Sequence, residues 1–235
     1  MISKLIILLP VFLILPFVYK QLWSFYIDET PSGYGTIVIF FILILSSLYP
    51  EELNIINFNI IIVLFIILIL SSIYWIDDIN NLPIYVRIFI QFISGFLISF
   101  ILIENQDNYF NLIFICFFFG FFNTVLTNVL NFYDGADLNI TLLLVGITLS
   151  ILYFFYNDQS IRFFGITIFL YLISFSFYNN KSNSIYFGDS GCFTFSSLLT
   201  LFIAFNITFR FEQLVFISVP LFLPVLDVLF VISDF

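Results

Sequence analysis

From Ile60 to Leu70 the chain reads Ile-Ile-Ile-Val-Leu-Phe-Ile-Ile-Leu-Ile-Leu, with no polar residue. A barrel strand alternates apolar and polar positions, so a run like this excludes a membrane β-barrel and points to an apolar helix. A helix needs about 20 such residues to cross a bilayer. Apolar runs fall at about 1–19, 36–49, 56–76, 84–103, 110–130, 138–156, 161–178, 191–209 and 214–232. With 62% hydrophobic and only 9% charged residues, the chain reads as all-α: a polytopic membrane helix bundle of about nine crossings. Residues 1–235 form a single integral-membrane domain.

The formal net charge of −9 argues against nucleic acid as a partner and against a basic lipid-surface patch. Cys116 and Cys192 both lie in apolar runs, where they read as small buried hydrophobes and not as a disulfide framework. Lys4 followed by an apolar run resembles a signal peptide, but Pro10, Pro16 and Tyr19-Lys20 offer no small-residue cleavage site. The segment is expected to be the first membrane helix.

Three acidic clusters interrupt this apolar chain: Asp77-Asp78; the series Asn128, Asn131, Asp134, Asp137; and Gly188-Asp189-Ser190-Gly191. A carboxylate costs several kcal/mol to place in hydrocarbon, so acids at the ends of membrane helices mark a polar site. With nine crossings, the loops after the first, third, fifth and seventh helices share one side. Parity therefore places all three clusters, with Asp28-Glu29, on one face. Lys20, Arg87 and Lys181 fall near that face and Lys4, Arg162 and Arg210 near the other, so the positive-inside count is a tie.

The threefold spacing from Asn128 to Asp137 lags a helical turn by about 60° per step, so the four residues cannot share one face of a straight helix. Gly135 supplies a break, and a bend there lets Asn131, Asp134 and Asp137 converge. Asp77 and Asp78 repel one another and need either solvation or a cation, such as Mg²⁺ or Arg87. Asp189 or Ser190 can cap the helix that follows, with the glycines allowing close approach of a ligand. The turn-rich segment Thr30-Pro31-Ser32-Gly33-Tyr34-Gly35 either binds a ligand or simply separates two helices. Each cluster also has a plainer reading as helix caps and solvated helix ends. Clustered carboxylates and amides suit a hard cation, and a chain without His is a poor zinc site.

Several separated motifs, in order, resemble the polyprenyl-phosphate N-acetylhexosamine-1-phosphate transferases. Asp77-Asp78 followed by Arg87 and Gln91 is similar to the family's Asp-Asp segment. Asn128 through Asp137 is similar to its Asn-x-x-Asn-x-x-Asp-Gly-x-Asp signature, and Asn179 with Phe187-Gly188-Asp189-Ser190-Gly191 to its nucleotide- and metal-binding loop. Thr30–Gly35 looks like a degenerate Pro-x-x-Gly-Gly segment, and Leu223–Asp227 fits a late helix.

The resemblance implies transfer of a sugar-1-phosphate from a UDP-sugar to undecaprenyl phosphate with release of UMP, a first membrane step in making a cell-envelope glycan. It implies Mg²⁺, for which Mn²⁺ can substitute, a cytoplasmic active site in the inner membrane, and a chain that can form a homodimer. On matching positions it implies Asp189 and Asn131 as metal ligands. Asp77, Asp78 and Arg87 would be catalytic, with Asp77 the candidate base, and Asn128, Asp134, Asp137 and Asn179 would hold the nucleotide-sugar.

The family's His-containing C-terminal cytoplasmic loop and last helix, and its Arg-Ser-x-His segment, have no counterpart here. A truncated, inactive remnant is therefore one alternative reading, and a transporter-like protein whose acids bind an ion is another. An intramembrane aspartyl protease built on Tyr133-Asp134 and Gly188-Asp189 leaves Asp77, Asp78 and Asp137 without a role. A nine-helix prenyltransferase wants a second Asp-x-x-x-Asp motif, which is missing.

Overall fold

The computed structural model describes residues 2–27, 30–48, 58–103, 109–135, 138–179, 185–206, 221 and 224. They form eight α-helices and one short 3₁₀ turn: α1 (Ile2–Tyr26), the turn Tyr34–Thr36, α2 (Ile37–Leu48), α3 (Phe58–Ile79), α4 (Ile84–Leu102), α5 (Tyr109–Asp134), α6 (Asn139–Phe154), α7 (Gln159–Ser176) and α8 (Gly188–Asn206). Among the described residues, α3, α4, α5 from Asn111, α7 and α8 are long and apolar enough to cross a bilayer. The helices α2 and α6, at 12 and 16 residues, are apolar but shorter. The expected ninth crossing at 214–232 lies outside the described residues, apart from helical Leu221 and Pro224.

Helix boundaries differ from the apolar runs where polar residues extend a helix past its membrane segment. α3 continues through Asp77 and Asp78, and α5 through Asn131 and Asp134 before Gly135 turns the chain. α8 starts at Gly188, so Asp189 and Ser190 belong to its first turn.

The helix α8 is the axis of the bundle. Every residue from Ser190 to Ser197 is buried, and α3, α4 and α5 pack around it. In hydrocarbon there is little hydrophobic drive between helices, so small residues and interhelical hydrogen bonds set the packing. Thr194 donates to Ser71 of α3 at 2.9 Å, and Ser197 and Ser94 of α4 are paired at 3.1 Å. Thr127 of α5 and Ser196 are paired at 2.6 Å. The fully buried Asn123 of α5 ties three helices together: its Nδ2 donates to the Gln91 carbonyl at 2.8 Å, and its Oδ1 accepts from Thr200 at 3.1 Å. The outward faces carry Phe65, Ile69, Phe89, Phe114, Phe121 and Leu142, all exposed, as a lipid-facing surface requires.

At Gly95, α4 comes so close to α5 that a Cβ would lie 2.7 Å from Asn123 Cβ and collide with the Phe119 carbonyl. Gly95→Leu should separate the two helices and destabilise the bundle by about 1–3 kcal/mol. Thermal unfolding in detergent, followed by the reactivity of the buried Cys116 and Cys192 thiols, should show a lowered midpoint.

Candidate active site

The α-helix that begins at Gly188 leaves four main-chain N–H groups without intrahelical acceptors. Two carboxylates from other helices take all four. Asp134, at the end of α5, accepts from Phe187 N at 3.2 Å and Gly188 N at 2.8 Å. Asp78, in the last turn of α3, accepts from Asp189 N at 2.9 Å and Ser190 N at 3.2 Å. The Ser190 hydroxyl also donates to Asp78, as does Ser32 Oγ at 3.1 Å. Both acids thus face the positive end of the α8 dipole, which compensates a carboxylate removed from water.

A strap from Pro31 to Gly35 closes over this junction. Its backbone pairs with the segment entering α8: Tyr186 N donates to the Pro31 carbonyl at 2.8 Å and Gly35 N to the Phe187 carbonyl at 3.1 Å. Two glycine pairs let the backbones touch. A Cβ on Gly35 would lie 2.6 Å from Gly191 Cα, and one on Gly188 would lie 2.6 Å from Gly33 Cα and 2.7 Å from Asp78 Oδ1. Gly33 and Gly188 also hold φ near +83°, which L side chains rarely adopt. The glycines of the strap are therefore a docking surface for α8. Tyr19 donates its hydroxyl to the Ser32 carbonyl, and Trp75 Nε1 donates to Tyr19 at 3.3 Å.

With Asp78 and Asp134 engaged by main chain, Asp77, Asp189 and Arg87 remain. Arg87 Nη1 lies 3.1 Å from Asp189 Oδ2 and 3.7 Å from Asp77 Oδ2. Arg87 is placed by α4, which starts after Pro83, and its carbonyl accepts from the buried Tyr74 hydroxyl at 2.9 Å. The Asp77 side chain is enclosed (0% exposed), whereas Asp189 is 27% and Arg87 30% exposed. The pair Asp189–Arg87 is thus the part an aqueous solute can reach.

Asp77 Oδ1 accepts from Leu82 N at 2.5 Å, but its Oδ2 is buried without a hydrogen-bond partner. Two carboxylates around one guanidinium leave one excess negative charge, and the Asp77 oxygen that accepts no hydrogen bond faces Arg87 at 3.7 Å. Among the described residues no three His, Cys, Asp or Glu side chains gather as metal ligands. Two carboxylates suit Mg²⁺, which fills most of its octahedron with water and substrate phosphate, and do not make a closed all-protein cage.

The remaining candidates separate. Asn128 points to α4: its Nδ2 donates to Gln91 Oε1 at 3.1 Å and to the Thr124 carbonyl at 2.7 Å. Asn131, in the last turn of α5, is half-buried. Asn179 is buried and engaged: its Oδ1 accepts from Leu138 N at 3.0 Å and Thr141 at 3.2 Å, and its Nδ2 donates to the Ile185 carbonyl at 3.0 Å. It holds Leu138 at φ 63°, a strained value for a branched apolar residue. Asp137 lies outside the described residues. Ser32 and Tyr74 were not candidates from sequence; only the Pro-x-x-Gly-like turn beside Ser32 gave a signal.

Carboxylates from α3, α5 and α8 and the Arg87 guanidinium of α4 thus form one polar site at one end of the helix bundle. The family model described as glycosyl transferase family 4 matches residues 60–208, which include Asp77, Arg87, Asp134 and Asp189. The chain belongs to that family, the polyprenyl-phosphate hexosamine-1-phosphate transferases. No curated protein matches the chain. The strap lies before the matched segment and is tied to it through Asp78 and Gly188.

Asn179→Ala should leave the Leu138 and Thr141 donors and the Ile185 carbonyl unpaired. The expected loss is about 1–3 kcal/mol, read as a lowered unfolding midpoint in detergent with the helical circular-dichroism signal retained at low temperature.

Proposed function

We propose that the chain transfers an N-acetylhexosamine-1-phosphate from a UDP-sugar to undecaprenyl phosphate, releasing UMP, at the cytoplasmic face of the inner membrane. The observation that carries this reading is the triad Asp77, Arg87 and Asp189, with one excess negative charge and one unpartnered buried oxygen, at one end of the bundle. An aqueous donor and a lipid acceptor can meet only at such an end.

The reaction forms a bond from a lipid-phosphate oxygen to the sugar-bearing phosphorus and breaks the bond to the bridging oxygen, which leaves with UMP. Little covalent chemistry is asked of the protein; positioning and charge stabilisation dominate phosphoryl transfer. Asp189 and the unpartnered oxygen of Asp77 would hold Mg²⁺, with Asn131 of α5 a further candidate. The ion, when bound, supplies charge neutralisation for the donor's pyrophosphate oxygens. Arg87 releases its contact with Asp189 and turns to a phosphate, which a partly exposed guanidinium can do at low cost. Asp77, enclosed and fixed by the Leu82 amide, stays in place beside Arg87. Asn128, exposed on the flank of α5 with its amide N–H groups given to Gln91 and Thr124, would offer the donor its carbonyl oxygen.

The aspartyl-protease reading requires two facing carboxyl groups, and here both oxygens of Asp134 are engaged by main-chain N–H groups.

Detergent-solubilised chain given sugar-labelled UDP-N-acetylhexosamine, undecaprenyl phosphate and Mg²⁺ should move label into extractable lipid. Chelation should stop transfer and added Mg²⁺ restore it. Asp189→Asn and Arg87→Met should each lower the rate by about 10²-fold or more. Folded protein that labels no lipid with any common UDP-N-acetylhexosamine contradicts the proposal, and full turnover by Asp189→Asn contradicts its metal role.

A further inference from the structure

Asp77 and Asp78 are adjacent and chemically identical, yet the structure gives them opposite surroundings. Asp77 has a free buried oxygen directed at Arg87. Asp78 has none: its two oxygens receive two amides and two hydroxyls. Asp134, 56 residues further along on α5, is engaged in the same way, with one amide on each oxygen. A helix N-terminus with open N–H groups is a natural phosphate cradle. Here that cradle is filled before any substrate arrives, so donor phosphate has no place on it.

We propose that Asp78 and Asp134 are positioning residues that act through Asp189. They dock the first turn of α8 onto the ends of α3 and α5, and so fix Asp189 beside Asp77 and Arg87. The physical logic is that Asp189 stands where the two pairs of capped amides meet: its own N–H and that of Ser190 are held by Asp78, and the two preceding N–H groups are held by Asp134. Losing either cap frees the turn that carries the reacting-site carboxylate. Asp78 receives a further bond from Ser32 of the strap, so the strap holds Asp78 in the rotamer that reaches α8. The Gly33–Gly188 and Gly35–Gly191 contacts leave no room for a solute between the strap and α8. The activity arm of this inference rests on the sugar-1-phosphate transfer reading; the amide arm does not.

The test is hydrogen–deuterium exchange of the full chain in detergent, resolved over residues 185–191, for Asp78→Asn and Asp134→Asn. An asparagine keeps one acceptor oxygen and turns an amino group toward the other amide. Losing such a cap should speed exchange at Asp189 and Ser190 in the first variant, and at Phe187 and Gly188 in the second, by about tenfold. Amides after Thr194 should stay as protected as in the unaltered chain. The kcat for lipid labelling should fall by about tenfold or more while KM for the UDP-sugar changes by less than about threefold. Ser190→Ala removes one donor to Asp78 without adding bulk; it keeps the test usable if an Asn variant does not fold, and should raise exchange at the same two amides by a smaller factor. Unchanged exchange in folded variants that have lost turnover would overturn the proposal and place these carboxylates on substrate or metal directly. Raised exchange in a chain that labels no lipid under any condition would uphold the caps and count against the transfer reading alone.

Discussion

The start of α8 is a helix end buried inside a membrane protein, and the rest of the site follows from how its four orphan N–H groups are satisfied. Water cannot reach most of them, and leaving each unpaired costs about 1–3 kcal/mol. The chain meets this with carboxylates at the ends of α3 and α5, helices far apart in sequence. Those two acids are costly to bury alone and tolerable against four amides and a helix dipole. The same contacts bring α3, α5 and α8 into register at one end of the bundle, so Asp77, Arg87 and Asp189 meet there.

Below that end, the polar seam of Ser71, Ser94, Asn123, Thr127, Ser196, Ser197 and Thr200 keeps the helices from sliding. These hydrogen bonds sit where lipid offers no alternative partner. A site built this way is rigid in its supporting carboxylates and adjustable in Arg87, whose partly exposed guanidinium faces Asp189 and Asp77. That combination suits a reaction in which a cation must be exchanged for substrate phosphates and the frame must not move.

Much of this was readable from the chain, for physical reasons that differ by residue. Long apolar runs fix a helical membrane fold because only helices and closed barrels satisfy their hydrogen bonds in lipid, and barrel strands alternate apolar and polar residues as these runs do not. Gly135 correctly ends α5, and alternation of crossings correctly puts three clusters at one end. The difference between Asp77 and Asp78 was not readable, because the partners of Asp78 lie more than a hundred residues away in α8 and 46 residues away in the strap before α2. Nor was the capping of α8: Asp189 and Ser190 offered the obvious local caps, and the real ones come from other helices. The 60° lag of the threefold series fans Asn128 toward Gln91 of α4 while Asp134 faces α8, as that spacing requires, so residues adjacent in the motif serve different neighbours. Asn179, which the resemblance assigns to the nucleotide-sugar, joins the start of α6 to the entry of α8 through its side-chain bonds.

The central claim is that phosphorus, and not the sugar alone, moves to the lipid. Its most direct measurement uses a UDP-N-acetylhexosamine labelled in the β-phosphate, incubated with the chain, undecaprenyl phosphate and Mg²⁺. The account predicts that the label is recovered in the organic-extractable lipid and that the nucleotide product is unlabelled UMP. Label retained in water-soluble UDP, with sugar in the lipid, would contradict it.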